Sequence, residues 1–143
     1  ITNERLSNQL KAVFMTIVSA AGNSVPLDVV QGVEFDLDFL DADATLTTLV
    51  DITGYTFTFI LKKKLSNGTL STLNTDRVDW SSYVSVLSSD TQFGSNCVAR
   101  VLVPASATSQ LSANSVYAYT IASTNAGVSR EWFRDELKVR ASL

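Results

Sequence analysis

Apolar and polar residues alternate with a period of two along much of the chain, the pattern of strands with one buried face. The first clear strand runs over 33–39, where Val33, Phe35, Leu37 and Phe39 alternate with acidic residues. The second runs over 55–62, with aromatic or aliphatic residues on one face and mostly Thr and Lys on the other. Further strands are predicted at 78–86, 96–103, 115–123 and 128–139.

Turn signals separate these segments every 8–12 residues. Asn67-Gly68 predicts a hairpin between 55–65 and 69–73, because Asn-Gly is a strong short hairpin signal. Pro104 ends a strand, and the following 105–111 predicts a single helical turn. Short strands at this spacing predict an all-β sandwich with one short helical turn.

The N-terminal segment differs from the rest of the chain. Residues 1–24 begin polar, become apolar towards Val18 and end at the turn signal Gly22-Asn23. They form either the first strand of the sheet or an arm that packs on a neighbouring subunit. We therefore expect an N-terminal extension, 1–24, followed by a single β-sandwich domain, 25–143.

Composition narrows the possible functions. The 143 residues suit one domain, 45% are hydrophobic, and 18 Ser, 15 Thr and 16 Val favour strands over helices. The chain has no His and one Cys, Cys97, which we expect to be a small core residue; His-based catalysis, an internal disulfide and a Cys-based zinc site are thus excluded. A net charge of −3 argues against electrostatic nucleic-acid binding, and no apolar run is long enough to span a membrane.

An acidic block covers residues 28–51, with seven acidic residues and no basic one. Glu34, Asp36 and Asp38 share one strand face, where crowded like charges repel. Three explanations stay open: a solvated outer face, contact with a basic partner surface, or a calcium site, although the EF-hand pattern is absent. Lys62 and Lys64 are candidate partners within the chain. No pair of carboxylates is placed for glycoside hydrolysis, so we expect no enzymatic activity.

Two other groups are candidates for contacts. The aromatic residues are more typical of a core or a subunit interface than of stacking on sugars or bases; they are Trp80, Tyr83, Tyr117, Tyr119 and Trp132. Arg130, Arg134 and Arg140 make the C-terminal end relatively basic, which complements the acidic block and would favour docking between subunits.

Four segments, in this order and spacing, carry a resemblance to a known family. They are Val30-Gln31-Gly32, Asp51-Ile52-Thr53-Gly54-Tyr55, Val101-Leu102-Val103-Pro104-Ala105-Ser106-Ala107-Thr108 and Tyr117-Ala118-Tyr119-Thr120-Ile121. Over roughly residues 27–141 the chain resembles the N-terminal immunoglobulin-like domain of phage baseplate upper proteins and related tail or fibre proteins. It departs from them at 132–137, which has the apolar pair Trp132-Phe133 but lacks the usual Gly.

The resemblance implies an immunoglobulin-like antiparallel β-sandwich without catalysis or cofactor. It implies a structural component of the phage virion, in the tail, baseplate, fibre attachment or capsid decoration. Other virion proteins and copies of the chain itself are then the partners, with no nucleic acid and no membrane. The candidate interface residues are Glu34, Asp36, Asp38, Arg130, Trp132 and Arg134.

A carbohydrate- or receptor-binding β-sandwich module is the alternative function. It would use Trp80, Tyr83 and Trp132 as exposed aromatic side chains on which a ligand stacks.

Overall fold

A computed structural model of the chain describes residues 12–18, 23–42 and 49–142. Nearly all of the regular structure in these ranges is strand. The strands are β1 Ala12–Val18, β2 Asn23–Ser24, β3 Leu27–Val30, β4 Phe35–Ala42, β5 Thr56–Lys63, β6 Arg77–Asp79, β7 Val84–Val86, β8 Val98–Val103, β9 Val116–Asn125 and β10 Val128–Arg140. In these ranges one short α-helix, α1, covers Ala105–Thr108, and two 3-10 turns cover Asn74–Asp76 and Ser81–Tyr83.

The strands form two sheets. The four-stranded sheet has the order β1-β4-β8-β7, and the six-stranded sheet has the order β2-β10-β9-β5-β6, with β3 also paired to β10. Their inner faces meet in one apolar core. Phe35, Leu37 and Phe39 of the first alternating segment are buried there, whereas Val33, which precedes β4, is 51% exposed. Phe57, Phe59, Val101 and Tyr119 from the other alternating segments are also buried. The predicted all-β sandwich is confirmed.

Two details give the sandwich an immunoglobulin-like character. β3 runs parallel to β10, while β10, β9 and β5 are antiparallel to one another. The helical turn α1 connects β8 to β9, and near the start of β9 the Tyr117 hydroxyl accepts a hydrogen bond from the backbone N–H of Ser112, at 3.1 Å. A tyrosine bonded back to the preceding corner in this way is typical of immunoglobulin-like domains.

The segment 78–86 is two strands rather than the one predicted. β6 belongs to the six-stranded sheet and β7 to the four-stranded sheet. Between them Trp80 is buried, with its ring 5.4 Å from that of Phe59, and the Ser81 hydroxyl accepts the N–H of Phe59. Burial of Trp80 and this side-chain bond end the pairing with β5 and let the chain cross to the other sheet.

The predicted hairpin after β5 is only a turn. The turn forms at Asn67-Gly68, with Gly68 at φ +86°, but the returning segment makes one bridge, Lys64 to Leu70, and no strand. β6 instead takes the place beside β5.

The backbone of β1 pairs in parallel with β4, from Ala12 opposite Asp36 to Val18 opposite Ala42. Residues 1–11 and 19–22 of the expected N-terminal extension lie outside the described residues. The division of the chain at residue 24, and an arm that reaches a neighbouring subunit, stay predictions.

A β-bulge interrupts the pairing of β10 with β9. Glu131 lies opposite Ala122 and Phe133 opposite Ile121, so Trp132 is the extra residue. Trp132 and Phe133, although consecutive, are both buried in the core. The bulge also places Arg130 and Arg134, four residues apart, on opposite faces of the sheet.

Candidate interaction surfaces

Asp38, on the outer face of β4, is bound within its own sheet. Arg100 on β8 lies directly opposite and donates from Nε and Nη2 to the two carboxylate oxygens, both at 2.8 Å. Asp38 is only 2% exposed, and these hydrogen bonds raise the pKa of Arg100. The prediction that Lys62 or Lys64 pairs with the acidic strand is wrong for Asp38, because its partner is Arg100.

Arg130 lies at the end of the sandwich, where it joins the two sheets. Its Nη1 lies 2.6 Å from Asp41 Oδ2 on β4, and its guanidinium carbon lies 4.2 Å from the centre of the Trp132 ring. Asp41 is buried and Arg130 mostly so. The pair is therefore part of the fold rather than a surface for partners.

Trp132 lies in the core and presents no surface for docking. It has no exposed area, its ring packs against Phe39 and Phe57, and its Nε1 donates to Ser123 Oγ at 2.8 Å. Of the two roles that the sequence left open for this residue, core or interface, the geometry assigns the core. The bulge is the reason, because it turns Trp132 inwards beside Phe133.

The aromatic residues of the alternative function are also mostly internal. Trp80 is buried like Trp132, and Tyr83 is half-buried against the core. The expected stacking surface of Trp80, Tyr83 and Trp132 is thus wrong for both tryptophans.

Glu34 and Asp36 are what remains of the acidic face. Glu34 is exposed, Asp36 is half-buried, and the neighbouring outer position across the ladder is Leu102, which is exposed. Asp36 Oδ1 is buried and has no hydrogen-bond partner among the described residues. Burial first, and then the charge of Glu34, raise the pKa of Asp36, although Arg100 opposes the shift.

A groove crosses the outer face of the six-stranded sheet. One cavity of about 450 Å³ is lined by residues of β9, β10 and the Lys64–Leu70 turn, and neighbouring hollows extend it to β6. Its floor includes Ala118, Thr120 and Ile60, and Leu70 borders it. Arg134, which pairs with Glu131 at 2.9 Å, lies on its rim.

Two cations of this groove form a cross-strand pair that the sequence did not predict. Lys62 on β5 and Arg77 on β6 occupy directly opposite positions in the ladder, and both are exposed. Lys64, in contrast, is neutralised by Glu136 at 2.5 Å. Lys62 was expected to face the acidic strand, but β4 and β5 belong to different sheets. The pairing could not be predicted because β6 was read as part of a longer strand.

The described residues hold no group of three or more Cys, Asp or Glu side chains placed to bind a metal ion. Asp43 of the acidic block lies outside them. Cys97 precedes β8 and is half-buried rather than a full core residue, with its thiol donating to the carbonyl of Ser95 at 3.3 Å. In the described part of the chain, no helix has the length and apolar character to cross a bilayer.

The fold and these surfaces define an immunoglobulin-like β-sandwich whose buried carboxylates at Asp38 and Asp41 are paired with arginines. No family model matches the chain, and no curated protein sequence does. Among solved structures it is similar to the N-terminal domain of phage TP901-1 ORF48, with 12% identity, a TM-score of 0.40 and coverage of 92% of this chain and 98% of that one. It is also similar to murine CRIg, with 9% identity, a TM-score of 0.28 and coverage of 87% and 96%.

Proposed function

We propose that this chain is a structural component of a bacteriophage virion, without enzymatic activity, that docks through the outer faces of its β-sandwich onto other virion proteins. The family resemblance in the sequence motivates the assignment. The charged surfaces on the two sheets supply the means of docking.

The observation that carries the proposal is a hydrogen-bonded unit that joins two of the resembling segments. Thr108, at the end of the Pro104–Thr108 motif, is fully buried; its hydroxyl accepts the N–H of Gly32 at 3.1 Å and contacts the carbonyl of Val33 at 2.9 Å. Gly32 belongs to the first motif, 76 residues earlier. Segments that form one buried contact are expected to recur together in a shared domain, which supports the resemblance over chance similarity.

Gly54, in the second motif, has a comparable structural role. Its φ of +81° is rarely adopted by other residues, and a Cβ there would lie 3.7 Å from the side chain of Asn125. The motif residues therefore serve the sandwich itself. A non-catalytic module, which acts through its surface, is consistent with that.

Localisation on the particle tests the proposal. Phage particles from a lysate in which the chain is produced are purified on a density gradient, washed in high salt and labelled with an antibody against the chain. We expect gold label at one structural location of intact particles. Label confined to soluble fractions would contradict a virion role.

A further inference from the structure

The β6 end of the groove on the six-stranded sheet carries the exposed cations Lys62 and Arg77, whereas the cavity at its other end is also lined by Asp135 and Glu136. Lys62 and Arg77 lie directly opposite each other, an arrangement that destabilises a sheet when the charges are alike. No acidic side chain among the described residues lies within ion-pair distance of either. Asp79, on the same strand, attracts Arg77 without forming an ion pair with it; the Asp79 carboxylate accepts the backbone N–H of Ser81 at 2.9 Å. An anionic group from outside would relieve this repulsion.

The groove also offers apolar contact. Leu70 and Leu73, which are 43% and 63% exposed, line the groove, and the small side chain of Ala118 leaves space at its base. We call the set Lys62, Leu70, Leu73, Arg77 and Ala118 the cationic groove. Its occupant therefore needs both carboxylates and apolar side chains.

The four-stranded sheet has carboxylates and an apolar side chain together on its outer face. Glu34 and Asp36 lie on its outer side without an ion-pair partner in the described ranges, and Leu102, 45% exposed, lies across from Asp36. Asp36 Oδ1 is buried and has no hydrogen-bond partner among the described residues, so a docked cation would stabilise the Asp36 charge through space and not by a bond to that oxygen. We call Glu34, Asp36 and Leu102 the acidic patch.

We infer that the acidic patch of one copy docks into the cationic groove of a second copy of this chain. The two surfaces match in sign of charge and in apolar character. The net charge of −3 disfavours long polyanions. A second copy carries the same net charge, so the contact depends on the local match between the acidic patch and the cationic groove.

The contact is head-to-tail, because the two surfaces lie on the outer faces of different sheets. Each copy then uses its patch towards one neighbour and its groove towards another, which builds a ring or a row rather than a two-fold dimer. The inference deepens the proposed function by naming one partner, but it can be tested without the particle.

Analytical ultracentrifugation of the full chain at low salt tests the contact, over a concentration series up to about 1 mM, the range for a weak contact. We expect the weight-average mass to rise with concentration and to fall back when salt is added. The variant K62E/R77E and the variant E34K/D36K should each lose association about tenfold or more. An equimolar mixture of the two should recover it, because reversed groove and reversed patch are again complementary.

The variant K138E/R140E is the matched control. It makes the same change in net charge on exposed residues of the same sheet, outside the groove. It should associate like the wild-type chain, and circular dichroism verifies that every variant is folded.

Three results would overturn the inference. They are a wild-type chain that stays monomeric throughout, association that K62E/R77E leaves unchanged, and folded reversed variants whose mixture does not associate.

Retention of a monomeric wild-type chain on a heparin column through Lys62 and Arg77 would assign the groove to a polyanion instead. Label on particles together with a monomeric protein would leave the proposed function standing and reject this contact alone.

Discussion

At the residue scale, whether a charged side chain on a strand forms an ion pair depends on the residue opposite it on the neighbouring strand. Asp36 and Asp38 have nearly the same sequence context, in one alternating strand. Asp38 faces Arg100 and is neutralised, whereas Asp36 faces Leu102 and keeps an unbonded oxygen. The alternation predicted that both lie on the outer face. It could not predict which one is left for a partner, because that depends on the register with a strand sixty residues away.

Replacement of Asp36 by Asn should stabilise the isolated protein at neutral pH, by about 0.5 kcal/mol. The folded chain raises the pKa of Asp36 above its ordinary 3.8, so the carboxylate disfavours folding once the pH exceeds that value. Besides Glu34, the charged groups near it are Asp38 and Arg100. Urea unfolding at pH 7 and at about pH 2.5 should show the gain only at pH 7.

Asp51→Asn is the control for that experiment, because it should change the stability at pH 7 in the opposite direction. Hydrogen bonds from Thr53 lower the pKa of Asp51, so its carboxylate favours folding above its ordinary pKa, and the Asn variant should lose stability at pH 7. A loss of stability in Asp36→Asn at pH 7 would show that Asp36 is satisfied within its own chain.

Trp132→Ala should lower the free energy of unfolding by about 3–5 kcal/mol, as expected for a large buried aromatic residue. The ring fills the core between Phe39 and Phe57 and carries the Arg130 guanidinium on its face. Chemical denaturation measures the change. Trp132→Phe, which keeps most of the volume and loses the bond to Ser123, should cost less. A loss below about 1 kcal/mol for the Ala variant would contradict the core assignment.

At the scale of elements, the sequence predicted strands well where alternation is regular and flanked by turns. β4, β5, β8 and β9 are found close to their predicted positions, and α1 follows Pro104 as expected. The region of β6 and β7 was predicted as one strand because its apolar residues have no clean period. The strand is interrupted at Trp80, which packs against Phe59 in the core; this tertiary contact cannot be read from a local sequence pattern. The bulge at Trp132 likewise follows from the fit of two aromatic side chains into the core.

A substitution in the turn between β9 and β10 should stabilise the fold. Ala126 and Gly127 both have positive φ, +50° and +79°, a geometry that favours Asn-Gly. Ala126→Asn should therefore stabilise the fold by about 0.5–1 kcal/mol, since an alanine is strained there. Differential scanning calorimetry measures the change.

Asn114, at φ +58°, offers the reciprocal control. Asn114→Ala should destabilise the protein for the same reason. A stabilising Asn114→Ala, or a neutral Ala126→Asn, would mean that the backbone strain at these positions is negligible.

At the scale of the whole molecule, the charges divide into those that hold the sandwich together and those that face outwards. Asp41 and Arg130 connect the two sheets, and Tyr119 donates to the carbonyl of Val25 across the start of the domain. Lys62 and Arg77 meet only because β6 pairs with β5. The sequence predicted an acidic surface and a basic surface. In the structure, the acidic residues at the start of β4 that face outwards without an ion pair among the described residues are Glu34 and Asp36. The exposed cations that lie together are Lys62 and Arg77, whereas Arg130 pairs with Asp41.

The central claim, that this chain is a structural part of a phage particle, is tested most directly by its copy number. Quantitative mass spectrometry of gradient-purified particles, with isotope-labelled peptides of this chain and of the major capsid protein, gives the ratio of the two proteins. A structural component should show the same ratio in every particle fraction and keep it after a high-salt wash. A ratio that varies between fractions or falls towards zero on washing would contradict the account.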